Sequence, residues 1–282
     1  MIRFHPASLL VPILCALATW LSGCTAGSSA SMPSPAESAQ VDLSGASPQE
    51  LARACSAGSA EGCFQLGVLY EEGRGVRRQD DSLAATLYEK ACSGGNATGC
   101  FMLGVLYSEG RGVRQDESNA TTLFEKACTG GLAEGCLQLG ALYEEGRVVR
   151  QDASHAAMLY EKACAGALAL GCVNLGNLYQ KGRGVRQDAS HAVTLYEKAC
   201  TGGEPKGCFN LGLSYRQGRG VRQDDSRAAT SYEKACAGGL AEGCFNLGIL
   251  YKKGHGVPIN MLRSAQLFEQ ACKAGFANAC TR

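Results

Sequence analysis

The sequence predicts an all-α solenoid of stacked helix pairs, and two observations lead to this prediction. Fourteen of the 16 cysteines form seven pairs with seven residues between the members, and successive pairs lie 36 residues apart after a first step of 37. Within each period, apolar and small residues recur at the spacing of one helix face. Such a period is typical of a repeat array, because a single unit of this length is too small to bury a core alone.

Composition and charge are those of a globular chain. Of 282 residues, 45% are hydrophobic and 19% are charged, and the net charge is +1. These values are typical of a folded protein, and they include no excess of basic residues of the kind that nucleic-acid binders carry. We therefore expect no nucleic-acid partner.

Residues 1–23 are predicted to be a lipoprotein signal peptide. Arg3 precedes an apolar run over residues 9–20, which is shorter than a membrane span and typical of a signal-peptide core. The run ends in Leu21-Ser22-Gly23-Cys24, which resembles a bacterial lipobox and implies cleavage before Cys24 and lipidation of its thiol. The alternative is an ordinary secretory signal that is cut near Ala26.

Residues 24–46 are predicted to be a flexible tether, because they are small, polar and interrupted by proline. Thr25 follows the cysteine, and resemblance to sorted lipoproteins then favours the outer membrane over the inner one. Several acyl chains would hold the protein stably at a membrane surface. We therefore expect a periplasmic protein that contacts the membrane through its lipid anchor only, with cell-surface display or secretion as alternatives.

Residues 47–282 are predicted to form the solenoid, with about six full helix pairs and partial units at the ends. In the unit at residues 133–167, the first helix has one face at i, i+3, i+4 and i+7, made of Cys136, Leu139, Gly140 and Tyr143. Asp152 is a good N-cap for the second helix, which carries Ala156, Tyr160, Ala163 and Cys164 at similar spacing. Glycine in a helix is costly, so the glycines at one first-helix position are expected where two backbones approach closely: Gly67, Gly104, Gly140, Gly176, Gly212 and Gly248.

The repeat resembles a known family. The pattern Cys-x-x-Leu-Gly-x-x-Tyr-x-x-Gly-x-Gly-Val-x-x-Asp, followed by Ala-x-x-x-Tyr-x-x-Ala-Cys, resembles Sel1-like repeats, which are relatives of TPR repeats. The paired cysteines resemble the secreted branch of that family, the helicobacter cysteine-rich proteins. The resemblance covers residues 48–282 and implies a right-handed α/α solenoid. Three features depart from the pattern: Val148 replaces a turn glycine, Pro205 enters a helix start, and the last turn, at residues 254–260, has no Asp.

Two disulfide pairings are compatible with this array. In the first scheme, each cysteine at the end of a second helix pairs with the cysteine eight positions later, across the turn to the next unit. In the second scheme, it pairs with the cysteine of the first helix in its own helix pair, as in Cys63 with Cys92. The second scheme leaves Cys55 and Cys280 unpaired, so we expect the first, which uses all fourteen repeat cysteines: Cys55, Cys63, Cys92, Cys100, Cys128, Cys136, Cys164, Cys172, Cys200, Cys208, Cys236, Cys244, Cys272 and Cys280.

Zinc binding is the competing interpretation of the cysteines. Metal sites favour closer ligand pairs, and no histidine recurs near these cysteines. Seven disulfides also fit the oxidising compartment that a signal peptide implies. We therefore expect no metal ion and no cofactor.

A polar column follows the first helices, two residues after each cysteine. It reads Gln65, Met102, Gln138, Asn174, Asn210 and Asn246. In TPR-like stacks the corresponding face lines a concave groove, where amide side chains can donate to and accept from an extended peptide. We take Gln65, Gln138, Asn174, Asn177, Asn210 and Asn246 as candidate binding residues. A solvated polar face without a ligand is the alternative.

Charged residues form two further columns. The early first helices end in Glu71, Glu72, Glu109, Glu144 and Glu145, whereas the later ones end in Lys181, Arg216, Lys252 and Lys253. This polarity would orient a bound chain, although charges on a solvated face would look the same. Two arginines in most turns, such as Arg111 and Arg114, predict a basic edge; the nearby Asp residues favour internal pairing over binding of an anionic polymer or lipid head groups.

Catalytic motifs are weak. Some members of the resembling family carry a β-lactamase label, and Ser231-Tyr232-Glu233-Lys234 matches S-x-x-K, but the partner motifs of that class are missing. We name no catalytic residue. The sequence therefore predicts a lipid-anchored periplasmic adaptor or scaffold that binds a protein or peptide. The alternatives are a β-lactamase-type hydrolase or penicillin-binding protein, and a surface or secreted protein that engages a host.

Overall fold

The computed structural model describes Leu43 and residues 45–281, which contain thirteen α-helices, one short 3-10 helix and no β-strand. The predicted signal peptide, Cys24 and most of the predicted tether lie outside the described residues. The helices are α1 Pro48–Ser56, α2 Ala60–Glu72, α3 Asp81–Ser93, α4 Ala97–Glu109, α5 Glu117–Thr129, α6 Ala133–Glu145, α7 Ala153–Ala165, α8 Ala169–Lys181, α9 Ala189–Thr201, α10 Pro205–Gln217, α11 Asp225–Ala237, α12 Ala241–Lys253 and α13 Met261–Lys273, followed by the 3-10 helix Ala277–Ala279.

The helices from α2 onward form six pairs, each made of an even-numbered first helix and an odd-numbered second helix. Each helix packs on the next one along the chain, and α1 packs on α2 as the second helix of an incomplete unit. This confirms the predicted all-α solenoid. Leu43 and Ala46, which the sequence places in the tether, are partly buried beside Leu51 and Leu66. The packed region therefore begins before residue 47.

Side-chain caps begin the second helices. Aspartates accept hydrogen bonds from first-turn backbone N–H groups at α3, α5, α7, α9 and α11: Asp80, Asp116, Asp152, Asp188 and Asp224. Asn260 does the same at α13, so the missing Asp of the last turn leaves no cap open. Pro205 is the first residue of α10, where its lack of an N–H does not disturb the helix.

The first-helix glycines make room for aromatic rings. A Cβ at Gly140 would lie 2.8 Å from Cε1 of Tyr160, and one at Gly212 would lie 2.6 Å from Cε1 of Tyr232. Both rings are buried. The predicted close approach is therefore real, but it joins the glycine to a side chain of the second helix and not to a second backbone.

Seven disulfides join successive repeats. Six of the bonds link the end of one second helix to the start of the next first helix, and the seventh, Cys272–Cys280, links the end of α13 to the residue after the 3-10 helix; all seven span eight positions, with Cα–Cα distances of 4.4–4.9 Å. This is the pairing across the turn that the parity argument favours. Each bond closes a short loop, which limits the conformations of the unfolded chain and opposes local separation of neighbouring repeats.

The turn of the third repeat departs from its neighbours at Val148. Its φ is 65°, a left-handed conformation that is unfavourable for a β-branched residue. In the next repeat the equivalent Gly184 lies so close to the preceding unit that a Cβ would stand 2.1 Å from the carbonyl carbon of Ala153. Among the described turns that follow the first helices, only this one contains a backbone hydrogen bond between residues two positions apart. The Val149 N–H donates to the Arg147 carbonyl at 2.7 Å. The valine is therefore accommodated by a locally altered turn.

Candidate functional site

One face of the first helices carries the predicted polar column. We define the amide face as the second, sixth, ninth and thirteenth residues of α2, α4, α6, α8, α10 and α12, which share one side of each helix. The sixth residues are the predicted column, and all six are half-buried. Aliphatic side chains occupy most of the ninth positions. The face therefore combines amides, aliphatic surface and charged ends.

Several of the predicted binding amides have partners inside the protein. Gln65 Nε2 donates to Glu61 Oε1 at 2.8 Å, and Asn210 Nδ2 donates to Asn177 Oδ1 at 3.2 Å. Within residues 45–281, Gln138 and Asn246 make no side-chain hydrogen bond. These two amides therefore keep their full hydrogen-bonding capacity for a partner.

Asn177 connects three helices. Its Oδ1 accepts from the Tyr196 hydroxyl of α9 at 2.8 Å and from Asn210 of α10 at 3.2 Å. The equivalent residue is aliphatic in every other repeat. The carbonyl oxygen of this predicted binding residue is thus used within the fold, and only its Nδ2 is left for a ligand.

A partly buried polar network beside the amide face was not predicted from the sequence. The Tyr88 hydroxyl donates to Glu71 Oε2 at 2.6 Å, and Arg111 contacts Glu71 at 3.1 Å and Asp81 at 3.2 Å. Burial, followed by the hydrogen bond to Glu71, raises the pKa of Tyr88. Because Arg111 belongs to the next repeat, the network ties two repeats together.

A second copy of this network lies two repeats later. Tyr160 donates to Glu144 Oε2 at 2.9 Å, and Arg183 of the following repeat contacts Glu144 Oε1 at 3.1 Å. Burial, followed by the charge of Glu144, raises the pKa of Tyr160, while a hydrogen bond from Asn174 acts in the opposite direction. Asn174 of the predicted column therefore also has an internal contact.

The twelfth residue of each first helix decides whether the buried aromatic finds an acceptor. These residues accept hydrogen bonds from tyrosine hydroxyls in three repeats: Glu71 from Tyr88, Glu144 from Tyr160, and Gln180 from Tyr196, the last at 3.3 Å. Where this residue is Ser108 or Lys252, the aromatic is Phe124 or Phe268. The sequence shows that the twelfth residue of the first helix varies together with the aromatic of the second helix. Only the packing of the two helices explains why, because it places the two side chains next to each other.

Tyr232 is the exception. Arg216 occupies the twelfth position, and the Tyr232 hydroxyl has no hydrogen-bond acceptor within the described residues. Burial raises the pKa of Tyr232 to about 12, with Arg216 acting against the shift. This repeat thus buries a hydroxyl without an acceptor, an arrangement that usually costs stability.

Charges along the amide face differ between the two ends. The acidic thirteenth residues lie within ion-pair distance of an arginine in their own turn: Glu72 with Arg74, Glu109 with Arg111, and Glu145 with Arg147. Within residues 45–281, the thirteenth residues Lys181 of α8 and Lys253 of α12 have no ion-pair partner, nor do the twelfth residues Arg216 and Lys252 beside the face. Residues 45–168 contain 11 Lys and Arg against 16 Asp and Glu, whereas residues 169–281 contain 14 against 8.

The predicted arginine edge is paired in only one of its two columns. The first arginine of each turn is paired at four positions: Arg74, Arg111, Arg147 and Arg183. The second arginine is exposed and has no ion-pair partner in the described part of the chain at Arg114, Arg150, Arg186 and Arg222. Internal pairing, which the nearby Asp residues predict for the whole edge, therefore does not extend to the second column.

The remaining candidate residues have structural contacts. Ser231 of the S-x-x-K match is 5% exposed and donates to the Arg227 carbonyl at 2.8 Å. His155 and His191 pack edge-on against Tyr143 and Tyr179. Residues 45–281 contain no cluster of three or more potential metal ligands. No helix among them is both long and apolar enough to span a bilayer.

Comparison with solved structures supports the fold. A protective antigen of uropathogenic Escherichia coli with an SLR fold is 29% identical, with a TM-score of 0.78, over 82% of this chain and 50% of that one. The chain therefore spans about half the length of that structure. A Sel1 repeat protein from Oxalobacter formigenes is 24% identical, with a TM-score of 0.71, over 79% of this chain and 90% of its own.

Cysteine-rich protein B of Helicobacter pylori is 32% identical over 48% of this chain and 98% of its own, with a TM-score of 0.39. A comparison with curated protein sequences finds no significant match.

The Sel1 repeat model matches the chain six times. The matches cover each of the six helix pairs: residues 60–96, 97–132, 133–167, 169–204, 205–240 and 241–276. They include more than half of the chain and coincide with the helix pairs that the disulfides connect. The chain belongs to the Sel1 repeat family.

Proposed function

We propose that the protein is a periplasmic scaffold that binds a protein or peptide segment along its amide face. Sel1 repeat proteins generally mediate protein–protein interaction, and this chain has the corresponding repeat scaffold. The observation that carries the proposal is the half-buried polar column, in which Gln138 and Asn246 have no internal hydrogen-bond partner among the described residues. Amides of this kind suit an extended main chain, which offers both donors and acceptors.

A direct test uses the two amides that the fold does not need. Replacing Gln138 and Asn246 by Ala together removes hydrogen bonds to a ligand and breaks none within the protein. We expect affinity capture from periplasmic extract, read by mass spectrometry, to lose the partner that the oxidised wild-type protein retains.

The matched control replaces two exposed second-helix residues, Thr122 and Thr230, by Ala. Their hydroxyls bond only to their own helices. We expect this variant to retain the partner. Equal retention by the amide variant and the control would contradict binding through the amide face.

The location is part of the same proposal. We propose that residues 1–23 direct export, that Cys24 is lipidated and that residues 24–46 hold the scaffold at the outer membrane. Seven disulfides support an oxidising compartment, and the Leu21-Ser22-Gly23-Cys24 sequence supports lipidation.

Metabolic labelling with a fatty-acid analogue tests the anchor. Wild-type protein should be labelled and should fractionate with outer membranes, whereas Cys24→Ser should be unlabelled. Labelling that persists in the variant would contradict lipidation at Cys24.

A further inference from the structure

The two ends of the amide face differ in which charges are available to a partner. In α2, α4 and α6 the acidic thirteenth residues are neutralised by arginines of their own turns. In α8, α10 and α12 the exposed lysines of this face, Lys181, Lys206 and Lys253, have no ion-pair partner in the described part of the chain, and Glu242 is the only acid. On the amide face, free positive charge is therefore concentrated on α8, α10 and α12.

Apolar and polar groups lie between these lysines. Leu213 and Ile249 are the ninth residues of α10 and α12, and both are half-buried. Asn174, Asn210 and Asn246 lie one helical turn before the ninth positions. The surface thus offers cations for acidic groups, aliphatic contacts for apolar side chains and amides for a main chain.

We propose that the amide face of α8, α10 and α12 binds an extended protein segment in which acidic side chains alternate with aliphatic ones. This inference rests on the proposed function and names its partner class. Acidic side chains of the segment reach the lysines near the helix ends, and aliphatic side chains between them contact Leu213 and Ile249 at the ninth positions. Opposite charges across an interface favour encounter and suppress wrong partners.

The charge difference also sets the orientation of the segment. Glu61 and Glu134 lie on the amide face of α2 and α6, where a further acidic residue would be repelled. The acidic part of the partner therefore lies over α8 to α12, and a neutral or basic part lies over α2 to α6.

A random peptide display library, selected on the immobilised oxidised protein, tests the inference without a known partner. We expect the enriched peptides to be rich in Asp and Glu separated by aliphatic residues, and to bind less tightly at high salt. The test variant carries Lys181→Glu, Lys206→Glu and Lys253→Glu. It should bind the enriched peptides about tenfold more weakly, as expected for the loss of three solvent-accessible charge pairs.

A matched variant controls for net charge. Lys126→Glu, Lys162→Glu and Lys234→Glu make the same charge change on second helices, where these lysines are exposed and have no ion-pair partner among residues 45–281. This variant should retain binding within about twofold, because long-range effects are screened by salt.

The outcomes separate the two proposals. Enrichment of peptides without acidic bias, or equal losses in both triple variants, overturns the acidic-segment inference and leaves amide-face binding intact. A third outcome would overturn both proposals: the same peptides are enriched when Gln138 and Asn246 are replaced by Ala, and heparin displaces them equally well from the variant and from wild type. The protein would then bind polyanions without recognising a main chain. Enrichment of no peptide also counts against both.

Discussion

The N-terminal and C-terminal halves of the solenoid have the same helices and disulfide spacing but different polar contacts. In the first half, Tyr88 and Tyr160 donate to Glu71 and Glu144, and arginines of following repeats complete the networks. In the second half, Tyr196 uses amides and Tyr232 has no acceptor within the described residues. On the amide face, the acidic ends of the early first helices are thus paired with arginines, whereas the lysines of the later ones have no ion-pair partner among the described residues. This difference lies in side chains alone.

The largest change in stability is expected when glycine and valine are exchanged in the turns of the third and fourth repeats. Gly184→Val should destabilise the protein by about 3–4 kcal/mol, because a left-handed β-branched residue is strained and its Cβ would overlap the Ala153 backbone. Val148→Gly should stabilise it by about 1 kcal/mol through relief of strain at a φ of 65°. Urea unfolding of the oxidised variants measures both. A neutral Gly184→Val would mean that the fourth turn can adopt the altered form of the third.

The disulfides provide a test in which the halves should not differ. Replacing Cys128 and Cys136 by Ala, or Cys200 and Cys208 by Ala, should each cost about 2–3 kcal/mol on the chain-entropy model. The two bonds have the same sequence separation, 8, and similar Cα–Cα distances, 4.5 and 4.4 Å. The measurement is again urea unfolding. Clearly unequal losses would show that packing, and not only the cross-link, differs between the halves.

Removing the hydroxyl of a buried tyrosine should change stability differently in the two halves. Tyr88→Phe should cost about 1.5–3 kcal/mol, because it removes a hydrogen bond to a charged group. Tyr232→Phe should be neutral or slightly stabilising, because its hydroxyl has no acceptor to lose. Thermal unfolding of the pair measures the contrast. Equal losses in the two variants would contradict the assignment of an acceptor to only one of them.

Periodicity and residue pairing differ in how much of the molecule they could predict. The cysteine spacing and the i, i+3, i+4, i+7 pattern predict the helix pairs, because both depend on distances along one chain segment. The partners of Glu71 and Asn177 lie up to 40 residues away, so they depend on how repeats stack and could not be predicted from one period. The glycine column gave the right conclusion about close packing but the wrong contact, because the aromatic that fills the space belongs to another helix.

The amide face contains both structural and free amides, and their loss should have different effects. Asn177→Ala removes the acceptor of Tyr196 and Asn210, but Tyr196 keeps Gln180 as a weaker acceptor at 3.3 Å. We therefore expect a cost of about 1 kcal/mol. Asn246→Ala, which breaks no hydrogen bond within residues 45–281, should leave the free energy of unfolding within about 0.5 kcal/mol of wild type. Urea unfolding distinguishes them, and a stability loss for Asn246→Ala as large as that for Asn177→Ala would mean that the amide column as a whole serves the fold and not a ligand.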